Sequence, residues 1–369
     1  MTTPTFGLFC NPESRRVEGF DAAVDRSPGQ RTVLVPWFAV LDDRDWEDAL
    51  RPPPRFLRLE SPDRNWRVEQ QLLAWGAVED DTEVQCGWRR LTTEAVARME
   101  HDPGCIPPQR QWFLGWRRLL EKVGAWASHR GLSDRWLCPP EDVLCFFDKA
   151  ACQRALESGG FPVPPALGLP RDFDELWELM RAAGRRRIFL KPCHSSSASG
   201  VVALESAGSR IQAFSTVEMV ETGDSLRLYN QRRIRTHRDA KEVRRLVDAV
   251  CRERCLAQVW VPKAGLHGRA FDVRVMVIGG RARQMMVRLG RGPITNSQLL
   301  GGRGDTDALR AHMGDEAWSR MLATCERALA TCFPRSLYAG FDVLVEPDFR
   351  TVRIIEINAF GEPAAARAA

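Results

Sequence analysis

Three side chains with oxygen donors stand on two short apolar runs near the C-terminus. Asp342 lies in Gly340-Phe341-Asp342-Val343-Leu344-Val345, and Glu356 and Asn358 lie in Thr351-Val352-Arg353-Ile354-Ile355-Glu356-Ile357-Asn358. Pro347-Asp348 between them is a turn signal, so the runs predict a β-hairpin. Alternation puts Glu356 and Asn358 on one face, and antiparallel pairing about the turn brings Asp342 opposite Glu356. Two carboxylates and an amide, without histidine or cysteine, suit a hard cation such as Mg²⁺ shared with substrate phosphates. Buried carboxylates so placed repel each other unless a cation lies between them. The competing reading is a hairpin with solvated polar edges.

Lysine carries the second signal. The 369-residue chain is so biased to arginine that Lys122, Lys149, Lys191, Lys241 and Lys263 are its only lysines. Each is a candidate for work that suits a compact charge against phosphate better than a guanidinium. Lys149 follows Asp148, which can cap a helix running to about Ser158. Lys191 ends a strand-like run, 187–191, that leads into His194-Ser195-Ser196-Ser197-Ala198-Ser199-Gly200 and a further strand at 201–204. A small-residue loop between strands can wrap phosphate oxygens with amides and hydroxyls, or simply be a mobile solvated turn. Lys263 follows the buried-type strand 256–261.

The elements that must position these groups alternate in type. Strands are expected at 6–10, 33–37 and 56–60, with a helix at 66–75 stopped by Gly76, which favours an α/β domain. The many tryptophans of this region, Trp112, Trp116, Trp126 and Trp136 among them, read as core. Pro139-Pro140 marks a boundary. Beyond it come a helix at 172–183, a strand at 217–220, an arginine-rich stretch at 232–245 and a helix with Val243, Leu246, Val247 and Val250 on its apolar stripe. The arginine-rich stretch reads as a solvated face that permits an acidic partner. Gly279-Gly280 joins strands 271–278 and 282–289 as a hairpin, with Asp272 and Arg274 on one face of the first. A helical segment at 307–331, interrupted near Gly314, precedes the C-terminal hairpin. The division is 1–140, an N-terminal α/β domain; 141–255, a unit with the serine-rich loop; and 256–369, a unit with the cation site.

Composition sets limits. Hydrophobic residues at 44%, charged residues at 27% and a net charge of +5 are those of an ordinary globular protein, and point to neither DNA nor a membrane as partner. No run approaches the roughly eighteen apolar residues of a membrane span, and the N-terminus has no secretory pattern. Eleven scattered cysteines, without a Cys-x-x-Cys pair, fit reduced thiols and a cytoplasmic setting.

Taken in order, Asp148-Lys149, Lys191, the serine-rich loop, 258–261, the Asp272-x-Arg274 strand, Arg288, Asp342 and Glu356-x-Asn358 resemble the ATP-grasp superfamily. In that superfamily two α+β subdomains grip ATP between antiparallel sheets. The resemblance spans about 146–360 and implies that Lys149 and Lys191 face ATP phosphates, under a loop containing Ser195, Ser196, Ser197, Ser199 and Gly200, and that Lys263 lies near the ribose or the phosphates. It implies that Gln258, Val259, Trp260 and Val261 meet the adenine. Arg274, Arg288 and Asn296 would act on the transferred phosphoryl group and the acyl phosphate, and Asp342, Glu356 and Asn358 would hold one or two Mg²⁺ ions. The acidic ribose contact common in the family is not evident near Lys263.

More narrowly, Asn11-Pro12-Glu13-Ser14-Arg15-Arg16, Leu59-Glu60-Ser61-Pro62 and 295–305 resemble an uncharacterised bacterial ATP-grasp group often encoded near radical-SAM enzymes. The chain departs from that group after Gly361, where Glu362-Pro363 and an Ala-Arg tail replace further ordered sequence, which would leave one wall of the site incomplete. The implied activity is ligation of a carboxylate to an amine or thiol acceptor, on a small metabolite or a peptide, through an acyl phosphate. The alternatives are a small-molecule kinase on the same fold and an ATP-binding partner protein without turnover.

Overall fold

The computed structural model describes residues 5–79, 87–208, 210–223, 225–290, 292–295 and 302–360. Strands β1 (Phe6–Cys10), β2 (Thr32–Pro36) and β3 (Phe56–Leu59) form a parallel sheet in the order β2-β1-β3. Helix α1 (Arg15–Asp25) makes the first crossover, and Ser14 caps it by accepting from the Arg16 amide. The short α2 (Trp37–Leu41) follows β2 directly. Beyond β3 come α3 (Trp66–Ala77), α4 (Thr93–Ala97) and the long α5 (Gln109–His129). Trp37, Trp116, Trp126 and Trp136 are buried in this half, as core packing requires.

Gly76 does not stop its helix. A Cβ there would fall 1.8 Å from the Gln111 carbonyl oxygen, and one at Gly115 would fall 1.9 Å from the Leu72 oxygen. The pair lets α3 and α5 cross backbone against backbone, so this glycine answers to tertiary packing rather than to helix termination.

Helices α6 (Pro140–Phe147) and α7 (Lys149–Ser158) lead to the second sheet, and Asp148 caps α7 by accepting from the Ala150 and Ala151 amides. That sheet runs β4-β9-β5-β6-β7-β8. Its members are β4 (Ala166–Gly168), β5 (Arg187–Pro192), β6 (Val202–Ala207), β7 (Arg210–Thr222), β8 (Ser225–His237) and β9 (Cys255–Val259). Helices α8 (Phe173–Ala182) and α9 (Ala240–Cys251) cover one face of it, capped by Asp172 and Asp239. The strand expected at 217–220 is the middle of the much longer β7. The arginine-rich stretch is half strand, to His237, and half helix, from Ala240.

The third sheet runs β13-β12-β11-β14-β15, with β10 (Gly265–Leu266) pairing with β11 (Arg269–Ile278). Its other strands are β12 (Arg281–Leu289), β13 (Gly302–Gly304), β14 (Tyr338–Val345) and β15 (Val352–Asn358), and α10 (Thr306–Met313) and α11 (Asp315–Cys332) pack on it. Gly279 and Gly280 have φ of 60° and 74°, as a two-residue hairpin turn demands. Gly314, at φ 78°, separates the two helices. One continuous hydrophobic core joins the N-terminal sheet to this third sheet, from Phe9 to Ala359, whereas the second sheet keeps a core of its own.

Gly115→Ala forces a methyl into the Leu72 backbone and should cost roughly 3 kcal/mol. Gly19→Ala on α1, where a Cβ meets nothing, should be neutral or stabilising. Equilibrium denaturation of the two variants checks the contrast, and equal stabilities would contradict the close helix crossing.

Candidate active site

The hairpin register follows the alternation argument: Asp342 pairs with Glu356 and Gly340 with Asn358. On the other side of β14, Arg274 of β11 pairs with Asp342, so Arg274, Asp342 and Glu356 form one row across three strands. Asp272 and Arg288 pair two residues along the same face. This face meets the end of the second sheet across a cavity of about 990 Å³.

The charges on the third sheet are tightly linked. Arg274 donates to Asp342 through Nε, and Arg288 Nη2 lies 2.9 Å from Asp342 Oδ2. Arg288 Nε donates to Asp272 Oδ1 at 2.6 Å, and Thr295 donates its hydroxyl to the other Asp272 oxygen. Lys263 donates to Thr295 and stands 3.7 Å from Asp272. Asp272, Arg274, Arg288 and Asp342 are all buried. Burial alone would raise the Asp342 pKa, but Arg274 and Arg288 together hold it well below the usual carboxylate range. Asp342 and Asp272 in turn push the Arg288 pKa up against its desolvation.

Lys149 and Lys191 approach from the second sheet and its flanking helix. Lys149 donates to the Ser195 carbonyl and lies 3.7 Å from Glu356. Lys191 lies over the Phe189 ring, 5.7 Å from its centroid. Removal from bulk water drives the Lys191 pKa down to about 8; Glu356 opposes the shift, and Lys263 and Lys149 add to it. Burial lowers Lys263 as well, against the pull of Asp272. The end of the cavity between the second and third sheets therefore sets five cations, Lys149, Lys191, Lys263, Arg274 and Arg288, against three carboxylates, Asp272, Asp342 and Glu356. Two positive charges are left for an anion.

The serine-rich loop brings Ser195, Ser196 and Ser197 to the cavity, whereas Ser199 and Gly200 stand back from it. Ser199 accepts from Gln109 of α5 at 3.5 Å. Gly200 has φ 76°, and a Cβ there would lie 2.7 Å from the Pro192 ring, so its role is to make the turn. Ser197 and Ala198 also adopt positive φ, 55° and 58°, a strained pair at the tip. Behind the loop His194 is buried, stacked on Phe113 of α5 at 4.1 Å and 3.5 Å from Asp148. Burial pushes the His194 pKa down to about 4, with Asp148 opposing.

Gln258, Val259 and Val261 line the cavity, but Trp260 does not. Its ring packs against Phe189 and Phe214, and its amide already donates to the Arg187 carbonyl at 3.1 Å. Trp260 thus belongs to the support of the strand rather than to an adenine contact. Gln258 donates to the Gln153 amide oxygen, and its own Oε1 is buried without a hydrogen-bond partner among the described residues. Asn296 lies outside the described residues.

The donor set fits a hard divalent cation. Glu356 is partly exposed and, among the described residues, is held only by the loose Lys149 contact. Asn358 donates Nδ2 to the Gly340 carbonyl at 3.3 Å, which leaves its amide oxygen for a ligand. Asp342 Oδ1 accepts from Arg274 Nε and retains a lone pair, whereas Oδ2 already meets both Arg274 and Arg288. Asp272 and Thr295 were missed as site residues, although the shared face of Asp272 and Arg274 was the available signal. Also missed were the N-terminal residues on the cavity rim, Asn11, Arg15, Arg16, Ser61 and Arg64. They come from the loops after β1 and β3 and from the first turn of α1, where no periodicity reports on facing.

No family model and no curated protein matches this chain. Solved structures do share its architecture. The ADP complex of purK, an N5-carboxyaminoimidazole ribonucleotide synthetase, aligns with a TM-score of 0.53 at 12% identity over 99% of this chain and 72% of that one. D-cycloserine synthetase DcsG aligns with a TM-score of 0.52 at 14% identity, over 96% and 91% of the two chains. ATP-grasp ligase PsnB, solved with a minimal precursor, gives 0.51 at 15% identity, over 98% and 92%. The chain has the ATP-grasp fold.

The free site should bind nucleotide phosphate best with Lys191 protonated. Because its pKa is lowered to about 8, ATP affinity should fall as pH rises through that value. Lys191→Arg, which stays charged, should flatten the decline. Calorimetric titrations between pH 7 and pH 9.5 (about the span that brackets this group) check it, and a wild-type affinity that is flat across the range would contradict the assignment.

Proposed function

We propose that this protein is an ATP- and Mg²⁺-dependent ligase that joins a carboxylate to an amine or thiol. The observation that carries the reading is the uncompensated positive charge at one end of the cavity, five cations against three carboxylates, set between two antiparallel sheets of the ATP-grasp fold. Such a charge excess matches a polyphosphate better than a neutral metabolite. Further support comes from Gln258, a residue of the cavity lining whose buried oxygen has no partner among the described residues and calls for a donor such as an adenine amino group.

In this reading Lys149, Lys191 and Lys263 hold the phosphates, and Ser195, Ser196 and Ser197 cover them. Arg274 and Arg288, fixed by their carboxylate partners, face the charge that develops as a substrate carboxylate oxygen attacks the γ-phosphorus and ADP leaves. The amine or thiol then displaces phosphate from the acyl phosphate, giving an amide or thioester. Closure of the serine-rich loop keeps water from that intermediate. Glu356, Asn358 and Asp342 would hold Mg²⁺, which neutralises phosphate charge when bound. The residues divide into an N-terminal domain to about 140, a phosphate-loop unit to about 255 and a cation-binding unit beyond it. A protein without a helix long and apolar enough to cross a membrane, as here among the described residues, fits work on soluble substrates.

Glu356→Gln should leave the protein folded and remove Mg²⁺-dependent ATP turnover by at least about a hundredfold, since it deletes a ligand charge with little change of shape. Release of ADP, with hydroxylamine added to trap an acyl phosphate as hydroxamate, is the measurement. Unchanged turnover in the variant would take the hairpin out of the mechanism, and ADP release without hydroxamate would point to phosphorylation of a hydroxyl.

A further inference from the structure

The end of the cavity built by the N-terminal domain differs in charge from the phosphate end. Asn11, directly after β1, is only 1% exposed. Its Nδ2 donates to the carbonyls of Pro62 and Asp63 at 2.8 and 3.1 Å, which orients the amide. Asn11 is among the residues that line the cavity, and its Oδ1 is buried with no hydrogen-bond partner among the described residues. A buried acceptor in this state calls for a donor from a ligand. Next to it the first turn of α1 opens on the same cavity, beginning at Ser14 and Arg15.

Arg15 and Arg64 line this end, and among the described residues neither guanidinium has an ion-pair or hydrogen-bond partner. Arg64 is held at φ 67°, a strained conformation, with its amide bonded to Glu69 at 2.8 Å. Arg16, by contrast, is committed to Glu60 at 3.6 Å and to the Phe360 ring. The subsite is balanced in total charge, since Glu13, Asp63 and Glu69 line it too, but it offers a helix N-terminus with two guanidinium groups free of ion pairs for an anion, and one buried acceptor for an N–H.

We propose that this end of the cavity binds the carboxylate end of an amino acid, either free or as a peptide C-terminus. The carboxylate meets the first turn of α1 with Arg15 and Arg64, and the N–H of the same residue, one carbon away, meets Asn11 Oδ1. Phosphate fits less well, because its oxygens would face the Asn11 oxygen. The placement rests on the ligase reading for its role in the reaction, but the binding itself does not.

The test is calorimetric titration of the full chain with each of the twenty amino acids, their C-terminal amides and a set of tripeptides with free C-termini. Each titration is run with and without a non-hydrolysable ATP analogue and Mg²⁺. At least one free carboxylate should bind saturably, and its amide should bind about tenfold more weakly. Arg15→Ala, an exposed change that leaves the fold intact, should abolish that preference for acid over amide. Binding by a tripeptide but not by its terminal amino acid would assign the peptide as the source. Equal binding of acid and amide, no binding by any compound, or displacement by inorganic phosphate alone would overturn the proposal. Nucleotide titration separates the two readings: amino-acid binding without ATP binding would sink the ligase and leave the subsite standing.

Discussion

The alternating charge chain Arg274–Asp342–Arg288–Asp272 on the third sheet is the constraint on which the site depends. Each buried carboxylate lies between cations and Arg288 bridges both, so loss of any member would strand a charge in a dry place, at a cost of about 3–5 kcal/mol. The network ties β11, β12 and β14 together in one register. It also fixes where the two arginines point before any substrate arrives, which is the preorganisation that electrostatic catalysis requires. Because the network satisfies its own carboxylates, the three lysines, offset once by Glu356, supply the two positive charges left at that end of the cavity.

Lys191 shows the cost of that arrangement. Its ammonium is desolvated and lies near two other lysines, with Glu356 as the nearest relief. An amine in this state destabilises the empty protein and gains from an incoming phosphate, so part of the binding energy is stored in the fold beforehand. The two ends of the cavity follow different logic. The phosphate end is positive in sum, whereas the N-terminal end sets Arg15, Arg16 and Arg64 against Glu13, Asp63 and Glu69 and is balanced.

The hairpin bearing Asp342, Glu356 and Asn358 was legible because alternation fixes both facing and register once the turn is placed, and Lys149, Lys191 and Lys263 stood out against an arginine-rich background. Trp260 stands off the cavity while its neighbours line it, because a strand run specifies which residues alternate, not which side a ligand occupies. Gly76 was misread because a glycine that permits a helix crossing looks, in one dimension, like a glycine that ends a helix. The length of β7 and β8 was hidden by polar residues on both faces, which erase the period. The contribution of Asn11 and Arg15 depends on contacts about fifty residues apart between Asn11 and the loop after β3, and local pattern does not report such contacts.

One feature of the core bears on how the chain comes to be folded. Phe9 of the first strand and Ala359, just past the last, belong to a single hydrophobic cluster, and Phe360 packs against Phe147. During synthesis the N-terminal sheet therefore emerges long before the strands that complete its core. The second sheet, whose core lies between Ile106 and Ala257, can close on itself while the chain is still growing. The core shared by the N-terminal and third sheets is therefore complete only once the strand before Ala359 is present, whereas the core of the second sheet does not wait for it.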